Sequence, residues 1–371
     1  MKKYLLSLIC VIICIAMLVS CNYESTNDQS LTDGDSNTVE DKVTDGNNEN
    51  DGENDGENDS DKNGSQSTQT STLLFDYSIS HKIMACDGKN KSIVIFDMNT
   101  CSDGRWLGLT KKDAVVWEFK GDYGFTGMKY RYSPYFGKYV VAFSGNAGNS
   151  VCGIIDYDTK ELLWSTEAGS GFNAHGIEML PNGDVVLFGS SGKVCYYPIS
   201  TTNGGTQCSQ TMYLEGAHDG IYDSDKQTVL VAYDWGVRGY KVNDGRLEEA
   251  GDASFGTEFT DKGGHAIVPC YGESGKYWVS AWQQVFLFDT DAMTLTKSFD
   301  ALEAKGIAYF SDETMVLTLA RIGSYDHAWE TNTLIVKTKN IVYGEERYVG
   351  KHIAFSDRMF YKIIEMNPNY K

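Results

Sequence analysis

One short unit of strands and turns recurs along the chain, and its spacing limits what the chain can fold into. The clearest copy, residues 172–200, contains three apolar runs separated by a Pro-Asn-Gly turn and a Gly/Ser turn. Short β-branched and aromatic runs between turn residues are typical of antiparallel strands. Similar runs are anchored on Met128, His175, His218, His265, Gly306 and His352, at steps of 47, 43, 47, 41 and 46 residues.

Each step has room for four strands and their turns. Second strands read, for example, VVLF at 185–188, and third strands read VFLF at 285–288. A repeat of about 40 to 50 residues with four strands is typical of one blade of a β-propeller. The spacing therefore predicts an all-β fold, a β-propeller of six blades. Seven blades are the alternative, if residues 360–365 pair with residues 73–79.

The two ends of the repeat are incomplete in complementary ways. The first unit begins at residues 82–86, which read as a second strand, and the last unit has an inner strand at His352 with little after it. We expect the C-terminal strand to complete the N-terminal blade, which closes the ring and removes two open sheet edges.

Residues 1–20 read as an export signal. Lys2 and Lys3 precede an apolar run from Leu5 to Val19, which is shorter than the ~20 residues of a membrane span. The ending Leu-Val-Ser-Cys resembles the lipobox of bacterial lipoproteins, and the resemblance implies that Cys21 is lipidated and becomes the new N-terminus. An ordinary signal peptide or an anchor helix is the alternative.

Residues 21–72 differ sharply in composition from the rest. Positions 22–72 contain 14 Asp and Glu against two Lys, with many Asn, Gly, Ser and Thr. Such a segment buries too little apolar surface to offset its chain entropy, so we expect a disordered acidic tether. The folded domain is then residues 73–371. With a lipidated Cys21, the expected location is the extracytoplasmic face of the cell membrane.

Charge and cysteine usage narrow the classes of partner. The chain has a formal net charge of −19, with 37 acidic and 28 basic residues in positions 73–371. This balance argues against nucleic acid, whose binding depends on Lys and Arg contacts to phosphate. The domain cysteines show no CxxC or Cys/His zinc spacing, and most lie in apolar runs, so we expect them to be buried thiols. We also expect the protein to be a monomer. Cys101 is the candidate for a disulfide.

The blade pattern resembles that of bacterial exported β-propellers. The run DYDTKELLW at residues 156–164 resembles the hairpin of quinoprotein-type blades. Residues 80–371 as a whole are similar to an uncharacterised propeller family among bacterial lipoproteins, a domain of unknown function. The resemblance implies a fold and assigns no activity.

Four of the six histidines occupy the start of predicted inner strands: His175, His218, His265 and His352. Inner strands of a propeller start at the face fed by the loops between blades, so these side chains should meet at one mouth of the central channel. Imidazole can donate or accept hydrogen bonds, act as acid or base, or bind metal. Two alternatives stay open: a site for a ligand, or backbone capping repeated by blade duplication. No cofactor is expected, except in the weaker alternative where His175, His218 and His265 hold a divalent metal.

Loops on the same face supply a second set of candidates. They are Asp87, Asp234, Trp235, Trp282 and Arg321, and aromatic faces beside Asp and Arg edges suit a sugar or another polar ring compound. The loop from Arg321 to Asn332 is longer than its counterparts, which indicates a lid or a contact surface. No G-x-S-x-G elbow and no phosphate-binding glycine loop in a strand–helix context occurs.

Three functions fit these features. The first is a non-catalytic binding module at the cell surface for a glycan, a peptide or an envelope protein. The second is a lyase or hydrolase that uses the channel-mouth histidines, with or without a divalent metal. The third is an assembly scaffold whose partner covers the loop face.

Overall fold

The computed structural model describes residues 80–101, 114–200, 206–256, 263–320, 329–342 and 345–370. The predictions for the signal at 1–20, for Cys21, for the tether at 21–72 and for Arg321 lie outside these residues, as does the side chain of Cys101. Among the described residues, no helix has the length and apolar character to cross a bilayer, and the helix they contain, Met98–Cys101, has four residues.

The described residues form six four-stranded antiparallel sheets, which are the six predicted blades. From inner to outer strand, the first contains β24 (Phe360–Glu365), β1 (Lys82–Asp87), β2 (Ser92–Asp97) and β3 (Val115–Lys120). The second contains β4 (Gly124–Ser133), β5 (Lys138–Ala147), β6 (Asn149–Asp156) and β7 (Leu162–Gly169). The third contains β8 (Ala174–Met179), β9 (Val185–Gly189), β10 (Lys193–Tyr197) and β11 (Gln210–Tyr213).

The remaining three blades repeat the same order. The fourth contains β12 (Asp219–Asp223), β13 (Thr228–Tyr233), β14 (Gly236–Asn243) and β15 (Arg246–Ser254). The fifth contains β16 (Ala266–Pro269), β17 (Lys276–Ser280), β18 (Gln284–Asp289) and β19 (Thr294–Asp300). The sixth contains β20 (Ala304–Tyr309), β21 (Met315–Leu319), β22 (Thr333–Val342) and β23 (Glu345–Ala354).

The C-terminal strand closes the first blade, as predicted, but it is a different strand from the one anchored on His352. β24 pairs antiparallel with β1, with Met84 opposite Ile364. His352 lies on β23, the outer strand of the sixth blade, where it pairs with Ile335. The prediction of an inner strand at His352 is therefore wrong, and so is the seven-blade alternative, because residues 360–365 pair with β1.

The apolar core is divided into six clusters, each between two neighbouring blades. Side chains of a strand alternate between its two faces, so one strand serves two clusters. In β1, Ile83 and Ala85 pack towards the sixth blade, whereas Met84 and Cys86 pack towards the second. This explains why second strands such as β1 and β9 read as continuous apolar runs: both of their faces are buried.

The cysteines behave largely as the composition predicts. Cys86, Cys152, Cys195 and Cys270 are buried thiols, and Cys208 is a partly buried thiol. Burial raises the pKa of the Cys86 and Cys152 thiols well above the ordinary value. These two thiols therefore serve as small apolar side chains in the inter-blade clusters.

Candidate functional site at the channel mouth

Three of the four predicted histidines meet at one end of the central channel. The ring centroids of His175 and His218 are 4.8 Å apart, and those of His218 and His265 are 4.2 Å apart. The Nδ1 atoms of His175 and His218 lie 3.3 Å from each other. We call these three residues the histidine cluster. It joins the third, fourth and fifth blades, so residues 43 and 47 positions apart in sequence are in contact.

Irregular hydrogen bonding at the start of the inner strands aims these side chains into the channel. The pairing register shifts in β8 between Ala174 and Gly176, which places His175 at a bulge. The same shift occurs in β20 between Ala304 and Gly306, at Lys305. A bulge turns a side chain away from the regular alternation, and bulges are common beside functional sites.

A glycine after the bulge lets neighbouring inner strands approach closely. A Cβ atom on Gly176 would lie 2.7 Å from the carbonyl oxygen of His218 and 2.8 Å from the Cα of Asp219. A Cβ atom on Gly127 would lie 2.7 Å from the Cα of Gly176. The recurring glycine in the sequence pattern is therefore a packing requirement, and it brings the preceding side chains together around the axis.

Two lysines extend the histidine cluster. The ammonium group of Lys305 donates to His265 Nε2 over 2.8 Å and lies 4.7 Å from the centre of the Trp282 ring. The ammonium group of Lys362, on β24, crosses the channel and donates to the backbone carbonyls of His175 and His218. Both lysine side chains are buried. The site is thus cationic although the chain as a whole is strongly acidic.

Burial and these two cations keep the imidazoles neutral. Desolvation and then the charges of Lys362 and Lys305 lower the pKa of His175 to about 3. The pKa values of His218 and His265 are also well below the ordinary value, first because of burial and then because of neighbouring imidazoles and the same lysines. Burial lowers the pKa of Lys362 itself to about 8, against the opposing attraction of Asp219. Neutral imidazoles offer one donor and one acceptor each.

The hydrogen bonds assign the proton on each ring. An ammonium group can only donate, so His265 Nε2 accepts from Lys305 and the proton of His265 is on Nδ1. Burial raises the pKa of Tyr361, so its neutral hydroxyl donates to His175 Nδ1 over 2.7 Å. The proton of His175 is then on Nε2. His265 Nδ1 is buried and has no hydrogen-bond partner among the described residues.

A cavity of about 480 Å³ opens above the histidine cluster. Histidine, lysine and tyrosine side chains form one part of its wall, and Phe125 and Trp329 supply aromatic surface. Asn146, Asn173 and Thr126 add amide and hydroxyl groups, and Glu330 adds a carboxyl group. A concave site with apolar walls and a few convergent polar groups has the character of a small-molecule binding site.

The predicted loop residues are only partly at this cavity. Asp234 Oδ1 lies 3.9 Å from His218 Nε2, and burial together with Glu215 raises the pKa of Asp234. Trp282 lies against Lys305, at the edge of the histidine cluster. The indole of Trp235 donates to Glu215, and Trp235 is not part of the cavity wall.

Asp87 has a structural role in place of the predicted ligand contact. Its carboxylate is fully buried and accepts hydrogen bonds from Arg358, from Asn90 and from the backbone N–H of Met359. These bonds fasten the turn before β24 to β1, where the ring closes. His352 is also separate from the site, since it is exposed on the outer strand β23.

Two residues at the site were missed by sequence reasoning for different reasons. Lys305 directly precedes Gly306, as His175 precedes Gly176, but it is not a histidine and did not stand out. Tyr361 lies on the closing strand β24, which the pattern at His352 concealed. Aligning the residue before the glycine in every repeat would have found Lys305.

The predicted metal alternative has limited structural support. Among the described residues, no three His, Cys, Asp or Glu side chains are arranged to hold one metal ion. Three nitrogen atoms of the histidine cluster are used in hydrogen bonds: Nδ1 of His175 to Tyr361 and to His218 Nδ1, and Nε2 of His265 to Lys305.

Two solved structures are similar to this chain. A functionally unknown protein from Desulfotomaculum acetoxidans DSM 771 is 14% identical, with 74% of this chain and 80% of that chain covered and a TM-score of 0.48. The dihydro-heme d1 dehydrogenase NirN in complex with DHE is 11% identical, with 76% of this chain and 55% of that chain covered and a TM-score of 0.42.

Sequence comparison is more informative. No curated protein matches the chain. Residues 83–335, more than half of the chain, match a family of unknown function, DUF6528. This region contains the histidine cluster and Lys305, and it ends before the closing strand. The chain is therefore a β-propeller that belongs to the family of unknown function DUF6528.

Proposed function

We propose that this protein is a lipid-anchored cell-surface module whose propeller binds a saccharide in the cavity above the histidine cluster. The observation that carries the proposal is His265. Its Nδ1–H is a buried donor without a partner among the described residues, in a side chain that forms part of the cavity wall. A buried donor that lacks an acceptor is costly, by ~1–3 kcal/mol, and an acceptor supplied by a ligand removes that cost.

The chemistry of the cavity wall favours a polar ring compound. Trp329 and Phe125 offer flat apolar surface, while Asn146, Asn173 and His175 offer hydrogen bonds around it. Sugars present both kinds of surface, because their ring faces carry C–H groups and their edges carry hydroxyls. The cavity of about 480 Å³ is within the usual range of small-ligand sites, roughly 300–1,000 Å³.

The proposed location depends on the N-terminal sequence. The apolar run ending in Leu18-Val19-Ser20-Cys21 supports lipidation at Cys21, and the acidic segment that follows supports a solvated tether. A coil of about 50 residues has a root-mean-square span of roughly 40 Å. A binding cavity on such a tether is suited to capture ligands close to the cell surface.

The test is binding of the full-length chain, in neutral detergent, to a panel of neutral and acidic oligosaccharides by calorimetry. We expect at least one saccharide to bind, and we expect His265→Leu to weaken its binding by at least tenfold. His352→Leu, on the outer strand, is the matched control and should not change the affinity. If no saccharide binds, or if both variants weaken binding equally, the proposal is wrong, and binding of short peptides in the same assay would support a different ligand.

A catalytic role is the second candidate, and one contact favours it. His175 is held neutral and accepts a hydrogen bond from Tyr361, so a base and an acid lie side by side in the cavity wall. An imidazole and a phenol are the groups that a lyase or hydrolase can use as base and acid, and this role requires a bound substrate to bring both pKa values closer to the working pH. If the purified protein cleaves any saccharide that it binds, and His175→Gln and Tyr361→Phe each abolish cleavage without loss of binding, the enzyme reading replaces the binding module. Stoichiometric Mn, Zn or Ca that is lost in His218→Ala would favour its metal-dependent form.

A further inference from the structure

We propose that the saccharide bound by the cavity is acidic, and that its carboxylate lies against Lys305, His175 and His265. This inference rests on the proposed function, because it names the ligand class of that site. It is drawn from the hydrogen-bond donors and the positive charges at the base of the cavity. The negative net charge of the whole chain would by itself favour a cationic ligand.

Hydrogen-bond donors converge at this point of the wall. His265 carries its proton on Nδ1, and His175 carries its proton on Nε2, so each ring presents an N–H group. Within the described residues, His265 Nδ1 is buried without a hydrogen-bond partner, and His175 bonds to Tyr361 through its other nitrogen, Nδ1. A carboxylate accepts several hydrogen bonds at once and suits two imidazole N–H groups better than a single hydroxyl does.

Positive charge is concentrated at the same place. The ammonium group of Lys305 is in the cavity wall, and that of Lys362 lies beneath the backbone of His175 and His218. Because His175, His218 and His265 are neutral, the positive charges among the described residues at the base are those of these two lysines. Lys91 adds a third ammonium group at the rim. Buried cations attract an anion more strongly than exposed ones because the surrounding medium screens them less.

The acidic groups nearby lie against other parts of the protein. Among the described residues that line the cavity, Glu330 is the one with a carboxyl group, and it lies against Gly88, on the first blade. Asp219 is paired with Lys129, with 3.2 Å between Oδ1 and Nζ, and Asp234 lies 3.9 Å from His218 Nε2. Asp87 is paired with Arg358. The base of the cavity therefore has two buried ammonium groups, those of Lys305 and Lys362, in a chain whose net charge is −19.

The experiment compares two matched series of probes on the full-length chain: di- and trisaccharides of glucuronic acid, and the glucose saccharides of the same length and linkage. The two series differ only in a carboxylate in place of a hydroxymethyl group. Calorimetry at low and at high salt gives the ratio of their affinities. We expect the acidic series to bind at least tenfold more tightly at low salt, with a smaller advantage at high salt.

Variants then test whether Lys305 causes the preference for the acidic series. Lys305→Met should reduce the ratio to near one while the neutral series still binds, and Lys305→Gln is measured beside it in case the first variant folds poorly. Lys120→Met, at an exposed lysine of the first blade's outer strand, is the control and should leave the ratio unchanged.

Equal or tighter binding of the neutral series overturns the acidic class but leaves saccharide binding intact. A ratio that survives both Lys305 variants also overturns the inference. Absence of binding by both series contradicts the proposed function itself.

Discussion

At the scale of single residues, the site is defined by imidazoles that stay neutral. His175, His218 and His265 are surrounded by protein and face two ammonium groups, so a proton on any of them costs both solvation and electrostatic repulsion. The structural benefit of the cluster is its hydrogen bonding, and that bonding requires the neutral form. Acid is therefore expected to disrupt this part of the molecule early.

The pH dependence follows from the direction of these shifts. The pKa of each clustered histidine is lower in the folded protein than the ordinary value near 6.5. As the pH falls below about 6.5, the unfolded chain binds protons that the folded chain does not bind, so the free energy of unfolding decreases. For His175 this decrease continues to a pH of about 3. Between pH 7 and 5.5 we expect each clustered histidine to remove about 1 kcal/mol from the free energy of unfolding.

Urea unfolding of the wild-type chain and of His175→Gln at both pH values measures this effect. The variant should lose about 1 kcal/mol less than the wild type over the interval, whereas His352→Gln should lose as much as the wild type. Identical pH dependence in all three proteins would show that His175 is not held neutral by the fold.

The same residues show which parts of the site a sequence pattern can predict. The repeat placed His175, His218 and His265 together because all three precede a predicted inner strand. It failed at His352, since a histidine before an apolar run looks the same on an outer strand as on an inner one. The carboxylate of Asp87 was assigned to the site because loops on this face were expected to contact ligand. Its bond to Arg358, 271 positions away, depends on how the ring closes and has no local signal.

At the scale of elements, the start of each inner strand positions the site. A bulge at His175 and another at Lys305 turn these side chains into the channel, and the glycine that follows each one allows the next strand to approach. The recurrence of this small residue was visible in the sequence, but the bulge was not, because a one-residue irregularity leaves the apolar alternation nearly unchanged.

Gly176→Ala tests the close approach. Its new methyl group would meet the backbone of His218 and Asp219, and backbone atoms cannot rotate away as a flexible side chain can. We expect a loss of about 1–3 kcal/mol in the free energy of unfolding. Gly124→Ala is the matched control, because the nearest atom to its Cβ position is 3.9 Å away, and its stability should change by less than ~0.5 kcal/mol. Equal losses in the two variants would contradict the packing account.

The closing strand β24 joins the two ends of the propeller by pairing with β1. Phe360 is fully buried, with its ring centroid 4.7 Å from that of Phe355 and 5.5 Å from that of Phe96. We expect Phe360→Ala to cost about 3–5 kcal/mol in urea unfolding, as large-to-small changes of buried aromatic residues do. Val116→Ala, at an exposed position of β3, should cost far less. A small effect of Phe360→Ala would mean that ring closure contributes little to stability.

At the scale of the whole molecule, the propeller contains the candidate binding site, and the N-terminal sequence is proposed to determine the cellular location. The spacing of the repeat was sufficient to predict six blades and closure by the C-terminal strand. It could not identify which C-terminal strand closes the ring, because residues 345–354 and 360–365 are both short runs of strand-forming residues that can pair with a neighbour. Only the pairing of β24 with β1 decides between them.

Cys21→Ser tests the proposed anchor in the whole molecule. We expect this variant to lose incorporation of a labelled fatty acid and to lose its association with membranes, because acyl chains contribute about 0.8 kcal/mol per buried methylene. Cys14→Ser, within the apolar run, is the matched control and should be lipidated as the wild type is. Equal labelling of the wild type and Cys21→Ser would contradict the lipoprotein proposal without affecting the account of the cavity.

Nitrogen NMR of the imidazole rings tests most directly whether the three histidines form one neutral cluster, with His175 and His265 in the wall of a ligand-binding cavity. In full-length protein labelled with ¹⁵N-histidine at pH 7, we predict neutral rings for His175, His218 and His265, with the proton of His265 on Nδ1. Addition of the tightest-binding saccharide should shift the signals of His265 and His175 and leave that of His352 unchanged. Charged imidazolium signals from the cluster, or a bound saccharide that leaves His265 and His175 unchanged, would contradict the account.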